Sequence, residues 1–316
     1  MSIEDPATRV GFAAPISIEL DHGTAIRGVF PDPDVCAMIR EASGGDLPLV
    51  IADPPYGNIL AASWDDAGDD DSKFTAWMID WTKHVEHMSC LGAALYVWGG
   101  IGRPNFRPFY RYLAEVERKT GYLLANHITW SKKRAYGVGH NYLFTREELA
   151  YLTLSADIRK PRCFNIPLLE MKRGYAGYNP KYPAKSEYLR RTSVWTDITE
   201  ILRGKTHEAQ KPQRLHEIPI EIHTHPGEWV LDPFAGSGTT ALAARKLGRR
   251  FIVVEADPEQ FDRMVAALRG NPTTPAPPKR RVPSKARPSG RPESPADARA
   301  AQPESRQKGD GARDPQ

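Results

Sequence analysis

The chain has 316 residues, 40% of them hydrophobic, enough for one large α/β domain or two small ones with a real core. The formal net charge is +4, the N-terminal "MSIEDPATRV" carries acids and no apolar block, and no run approaches the ~18 consecutive apolar residues of a membrane helix. A soluble, cytoplasmic protein with no membrane partner is therefore expected, and the scattered Cys36, Cys90 and Cys163 exclude a disulfide framework or a CxxC metal site.

In chain order, strands are predicted at "APISIEL" (14–20) and "LPLVIA" (47–52), with a helix over 34–42 between them. The second strand ends on Asp53-Pro54-Pro55-Tyr56. Two prolines remove two backbone donors and hold the chain extended, so Asp53 and Tyr56 are presented from a stiff, non-helical corner. A helix capped by Ser72 runs to near Met88, with Phe74, Trp77, Met78, Trp81 and Val85 on one face. "AALYVWGG" reads as a strand, 104–119 as a helix opened by proline, and "LLANHITWS" and "ELAYLTL" as strands. Over 156–210 periodicity fades into text rich in Arg, Lys, Tyr, Asn and Pro, which reads as a loop-built insert. Order returns with a helix over 212–223, strand "WVLDPF", a helix over 239–247, strand "FIVVEAD" and a helix over 258–268. Such alternation predicts a mostly parallel sheet with helices on both faces. From residue 271 onward the Pro-rich text lacks large apolar side chains, and a disordered basic tail is expected.

Charge is distributed unevenly: −8 over 1–129, +9 over 130–214, −2 over 215–270 and +5 over 271–316. A basic middle between acidic flanks is the pattern of a face that meets a polyanion, or of a solvated basic surface. His207, His216, His223 and His225 fit no zinc spacing, so no metal site is expected and these histidines read as structural.

The stretch "WVLDPFAGSGTTALAARKLGRRFIVVEAD" carries a strand, a glycine turn at Gly236 and Gly238, and a helix opening on Thr239 and Thr240. Free N–H groups at a helix start, followed by Glu255 at the end of the next strand to accept ribose hydroxyls, make a nucleoside-binding corner. A GxxxxGK[ST] phosphate loop is excluded because no lysine follows the second glycine. A dinucleotide site remains open, since Gly236, Gly238 and Ala241 fit G-x-G-x-x-A. Asp232, just before the turn, would repel a pyrophosphate and suits a cationic amino-acid moiety, which favours S-adenosylmethionine.

With "DPPY" early, "HEAQKPQRL" later and "LDPFAGSGTT" last, the chain resembles the beta-class amino-methyltransferases of DNA over roughly 15–268. The resemblance implies an α/β, doubly wound, mostly parallel seven-stranded sheet with neighbouring catalytic and cofactor strands and a target-recognition insert. It implies a catalytic half over 1–155, the insert over 156–210 and a cofactor half over 211–270, ahead of the tail over 271–316. Asp53, Pro54, Pro55 and Tyr56 take the catalytic motif, Phe234, Gly236 and Gly238 the methionine-side loop, Glu255 the ribose, and Lys211-Pro212 the segment that closes over the cofactor. Gly57 stands where family members often have Asn, and "DHGTA" where they often have "HGD", which leaves Asp21 as the candidate for the adenine edge of the cofactor. The acids of 65–71 carry the wrong charge for a DNA-facing loop.

The family reading implies S-adenosylmethionine as cofactor, double-stranded DNA as substrate, a homodimer, and a cognate restriction endonuclease as partner. An exocyclic amine is a poor nucleophile until its two hydrogens are accepted, here by the Asp53 carboxylate and the Pro54 carbonyl, while Tyr56 stacks on a flipped base. Asp at the first motif position goes with adenine N6 in the family, and cytosine N4 or RNA adenine are the rival targets. A non-catalytic cofactor-holding DNA-binding protein is a further alternative. A nicotinamide dehydrogenase would need a catalytic His or Tyr-Lys arrangement that is not evident. DNA contacts are expected from Lys132, Lys133 and Arg134 beside the pocket and from Arg159, Lys160, Arg162, Lys172, Arg173, Arg190 and Arg191 in the insert. Tyr175, Tyr178 and Tyr182 are expected to pack or stack there.

Overall fold

A computed structural model describes residues 14–55, 70–100, 102, 107–137, 140, 142–172, 187–201 and 210–270. Tyr56, Gly57, the acids of 65–69, Arg173, Tyr175, Tyr178, Tyr182, His207 and the tail from 271 lie outside the described residues.

The chain opens with a hairpin, β1 (Ile16–Leu20) and β2 (Gly23–Arg27). Sequence reading anticipates the first strand but not the second, whose "GTAIR" is short and glycine-led. The glycine is required: a Cβ at Gly23 would lie 2.1 Å from the Phe251 carbonyl oxygen of the neighbouring strand. Helix α1 (Pro33–Ser43) starts on the Asp32 side chain, which accepts from Asp34 N at 2.9 Å, and stops at Gly44 with φ 75°. Strand β3 (Leu47–Ala52) is buried at every residue. Helix α2 (Asp71–Glu86) is capped by Asp70, which accepts from Ser72 N and Lys73 N, so the cap precedes the expected Ser72. The chain continues through β4 (Ser89–Gly99), α3 (Pro108–Lys119), β5 (Leu123–Tyr136) and β6 (Phe144–Thr153). Within the expected loop insert lie β7 (Leu168–Lys172), β8 (Tyr188–Arg190) and β9 (Val194–Trp195). The half expected to hold the cofactor follows as α4 (Arg214–His223), β10 (Trp229–Asp232), α5 (Thr239–Lys246), β11 (Arg250–Glu255) and α6 (Pro258–Leu268).

Among the described residues the main sheet has nine strands in the order β1-β2-β11-β10-β3-β4-β6-β5-β9. Strands β2, β11, β10, β3 and β4 are parallel, and β6 is antiparallel to β4 and β5. Six of the seven strands anticipated from sequence, β11, β10, β3, β4, β6 and β5, form the centre together with the unanticipated β2; the anticipated β1 lies at one edge and β9, parallel to β5, at the other. Strands β7 and β8 pair by themselves as an antiparallel ribbon.

Alternation along the strands sends side chains to opposite faces. Leu49, Ile51, Val230 and Phe251 pack with Leu215, Ile218, Ala241, Ala244 and Phe261 of α4, α5 and α6. Val50, Ala52, Leu231 and Ile252 pack with Val35, Ile39, Met78, Trp81 and Val116 of α1, α2 and α3. The sheet is therefore covered on both faces, which is why its central strands read as continuous apolar runs. From β3 the chain winds toward β4, whereas from β10 it winds toward β11, so a crevice opens at the carboxyl ends of the adjacent strands β3 and β10.

Candidate active site

Asp53 follows β3 directly and lies at that crevice. The prolines after it are packed: Pro54 is buried, and Pro54 and Pro55 line a small recess with Phe74 and Met78 of α2, Trp98 of β4 and Phe109 of α3. The corner is thus braced by three elements, which fixes where the Asp53 carboxylate and the Pro54 backbone sit.

The Asp53 carboxylate accepts a hydrogen bond from Lys211 Nζ. Lys211 is 6% exposed, and its ammonium also lies 3.3 Å from Glu147 Oε2 and 4.8 Å from the centre of the Trp98 ring. Glu147 pairs on its other oxygen with Lys132. Two carboxylates and two ammonium groups therefore form one chain, Asp53–Lys211–Glu147–Lys132, across the end of β3, the segment ahead of α4, β6 and β5. Burial pulls the Lys211 pKa down, but the carboxylates of Asp53 and Glu147 outweigh it and the net shift is upward. Burial likewise pushes Glu147 up, and Lys211 and Lys132 more than reverse it. Both groups stay charged at neutral pH. Lys211 is expected on sequence grounds to close over the cofactor, and the structure places its ammonium on the Asp53 carboxylate. Glu147 and Trp98 escape sequence reading altogether, since each sits in an ordinary strand and acquires its role from a partner far along the chain.

The glycine turn leaves β10 at Asp232 and enters α5, with Gly236 at φ 51° and Gly238 at φ 75° as the helix cap. Asp232 is 3% exposed; its Oδ1 accepts from Phe234 N at 3.0 Å, and Thr240 Oγ1 donates to its Oδ2. Thr240 Oγ1 also lies 2.9 Å from His216 Nδ1. Burial pushes the Asp232 carboxyl up to about 7, against those two hydrogen bonds. Both oxygens of Asp232 are thus bonded within its own turn, so it organises the loop around the glycines. The Thr240 hydroxyl is likewise used internally, and Thr239 Oγ1 is 2.9 Å from Ser237 Oγ. Phe234 sits among Phe30, Trp77 and Trp81, with ring centres 6.1, 5.8 and 5.5 Å away.

Glu255 ends β11 beside this turn. Its Oε2 accepts from Gly236 N at 2.7 Å and its Oε1 from Asp257 N at 2.8 Å, and burial raises its pKa to about 7. A carboxylate has lone pairs to spare beyond two such bonds, so it can still receive ribose hydroxyls. Asp232, Glu255 and Asp257 surround the turn with acid, which suits a nucleoside carrying a positive charge and no phosphate, as S-adenosylmethionine is. Pro212 is buried at the start of α4, where its carbonyl accepts from Leu215 N at 3.0 Å. Asp21 is not at this corner. It lies in the β1–β2 turn, before Gly23, which pairs with Phe251 at the start of β11, whereas Glu255 pairs with Arg27. The length of the strand separates them, because the unrecognised strand β2 carries the chain from one end of the parallel strands to the other.

The basic residues divide between the two ends of the strands. Lys132, Lys133 and Arg134 stand near the end of β5, at the crevice side; Glu200 accepts from the backbone N–H of Lys133 at 3.0 Å and of Arg134 at 2.8 Å. Arg159, Lys160 and Arg162 do not face the crevice. They follow β6 at the opposite end of the strands, where Arg162 N donates to Gly92 O near the start of β4 and its guanidinium pairs with Glu228 ahead of β10. Arg159 is clasped by Asp157 at 2.9 and 3.0 Å. The Arg191 side chain is 7% exposed and holds Asp197 by two bonds of 2.8 and 2.7 Å. Arg190 lies over the Phe164 ring at 5.9 Å, and Lys172 is exposed, 3.7 Å from Glu187. His223 bonds Tyr96 Oη at 3.0 Å and Cys163 O at 2.9 Å, so with His216 it serves the core. Among the described residues no cluster of His, Cys, Asp and Glu is arranged to hold a metal. Nor is any described helix long and apolar enough to cross a membrane.

A family model of N6/N4 type, described as DNA methylase, matches residues 47–266, more than half of the chain. The chain belongs to this DNA methylase family. The matched span of the methylase runs from β3 into α6 and so contains both the Asp53 corner and the glycine turn. The type II methyltransferase M1.MboII of Moraxella bovis is 27% identical over 248 residues, 70% of this chain and 89% of that protein. M.BamHI of Bacillus amyloliquefaciens is 25% identical over 242 residues, and there the methylase chain covers 70% of itself but only 53% of the relative, about half its length. Two solved structures share the fold. PvuII DNA methyltransferase (cytosine-N4-specific) superposes with a TM-score of 0.57 at 18% identity, covering 79% of this chain and 86% of that one. TTHA0409 of Thermus thermophilus, solved with S-adenosyl-L-methionine, gives 0.52 at 20% identity over 78% and 92%.

Proposed function

We propose that this DNA methylase transfers a methyl group to the exocyclic N6 of adenine in double-stranded DNA after flipping the base out of the helix. The observation that carries the reading is Asp53, held on a proline-stiffened corner at the end of β3, beside the glycine turn of the adjacent parallel strand β10. S-adenosylmethionine supplies an electrophilic methyl on its sulfonium, with the Gly236–Gly238 turn, Phe234 and Glu255 as the residues that would hold it. Asp53 and the Pro54 carbonyl accept the two hydrogens of the target amine and free its lone pair, which supplies rate by positioning and electrostatics. The excess proton on nitrogen leaves to Asp53 or to water. Lys211 donates to the Asp53 carboxylate, and Glu147 offers its ammonium a second seat when the amine arrives. Tyr56, outside the described residues, is assigned the stacking face for the flipped base. Adenine is preferred to cytosine on the identity of Asp53. The type II names of the relatives add a cognate restriction endonuclease as a proposed partner.

The test is incubation of the protein with methyl-labelled S-adenosylmethionine and unmethylated genomic DNA, followed by nucleoside digestion and mapping of the modified site. N6-methyladenine is the expected product. N4-methylcytosine would move the target to cytosine, and label in RNA alone would overturn DNA as the substrate.

A further inference from the structure

Extraction of a base leaves a gap in the stack, and the gap costs a few kcal/mol unless something fills it. Strands β5 and β6 continue past the site as a two-stranded ribbon: Trp130 pairs with Glu147, Ser131 with Arg146, and Tyr136 with Phe144. Near the end of that ribbon Tyr142 is 92% exposed, Leu143 58% and Phe144 41%. Three consecutive large apolar residues in water are unusual for a protein surface that meets nothing. The basic side chains of Lys133 and Arg134 are exposed on the opposing strand of the same ribbon, and Arg146 is exposed beside the pair of Glu147 with Lys211. Acids are present too: Glu200 is engaged by backbone N–H groups of β5, and Glu148 by Thr129 and Arg146. Glu147 comes five positions after Tyr142, at most about 17 Å of extended chain. The major groove of B-DNA, about 12 Å wide, admits a two-stranded ribbon.

We propose that the end of the β5–β6 ribbon is a DNA wedge: Lys133 and Arg134 meet the phosphate backbone, and Tyr142, backed by Leu143, enters the space vacated by the flipped base. Apolar wedges between base steps are a general way of holding a duplex open. A ribbon rooted at Glu147 and Trp130 couples that insertion mechanically to the pocket, since Glu147 holds the lysine that touches Asp53. The inference rests on the DNA methylation reading and adds how the target leaves the helix.

The test compares methylation of a duplex carrying the mapped site with the same duplex bearing an abasic position opposite the target, where little pairing has to be broken. Tyr142→Ala should lose about tenfold to a hundredfold in kcat/KM on the intact duplex, the scale of one base–aromatic stack, and act near wild type on the abasic-opposed duplex. Tyr142→Phe should act as wild type on both, because the ring and not the hydroxyl fills the gap. Wild-type rates for the Tyr142→Ala, Leu143→Ala double variant on the intact duplex, or equal losses on both substrates, would overturn the wedge alone. A wild-type protein that methylates neither duplex would overturn the underlying reading together with the wedge.

Discussion

Lys211 reaches across 158 residues of sequence to place its ammonium on the Asp53 carboxylate, from a position only 6% exposed. The contact places a positive charge beside the group proposed to hold the target amine. Lys211 also helps hold the Glu147 carboxyl below the usual carboxylate range, against burial. Replacing Lys211 by Met should therefore raise the Glu147 pKa, read by carboxyl NMR titration. An unmoved Glu147 titration would separate Lys211 from the charge of that carboxylate.

Glu147 is the second seat for that ammonium. Glu147→Gln takes one carboxylate from a buried cation, and breaking a buried pair costs roughly 3 kcal/mol, readable as a lower urea midpoint. With Lys211 drawn more fully onto Asp53, the amine must compete for the carboxylate, so kcat/KM for DNA should fall about tenfold with cofactor affinity unchanged. A matching loss of cofactor affinity would mean that the network supports the whole crevice rather than the catalytic corner.

Glu255 has a pKa raised to about 7 by burial, so near neutrality it is only partly ionised. Ribose hydroxyls favour the carboxylate, and cofactor affinity should strengthen as pH rises from 6 to 8. The Glu255→Gln variant should bind at least tenfold more weakly, about the worth of a charged hydrogen bond, and lose that pH dependence. Titration calorimetry at several pH values reads both effects.

The division of basic residues between the two ends of the strands gives an electrostatic prediction. Lys133→Ala and Arg134→Ala should each reduce the slope of log K against log salt by about one for DNA binding. Arg159→Ala, at the far end and clasped by Asp157, should leave the slope unchanged.

What was legible in the sequence was local. The buried run of 47–52, the Asp53-Pro54-Pro55 corner and the glycine turn at Gly236 and Gly238 are each written in consecutive residues whose backbone restrictions act on the spot. Strand β2 was not, because its strand character comes from pairing with β11, and its one essential residue, Gly23, looks like a loop glycine until Phe251 is beside it. The placement of the insert's basic residues was not legible for a related reason. Basic composition reports charge but not position, and it is the turn after β6 that takes Arg159, Lys160 and Arg162 to the end of the strands opposite Lys132. Trp195 and Ile198, buried at 2% and 6%, also belong to the main core rather than to a separate loop. Glu147 was invisible because its two ammonium partners come from β5 and from the segment ahead of α4.

The central claim concerns Asp53, and one measurement addresses it most directly. Wild type and Asp53→Ala are incubated side by side with labelled S-adenosylmethionine and unmethylated DNA, and the digested nucleosides are identified by mass spectrometry. The account predicts N6-methyladenine from the wild type and none from Asp53→Ala, with cofactor binding retained in the variant. Methyladenine formed by Asp53→Ala at the wild-type rate would contradict it.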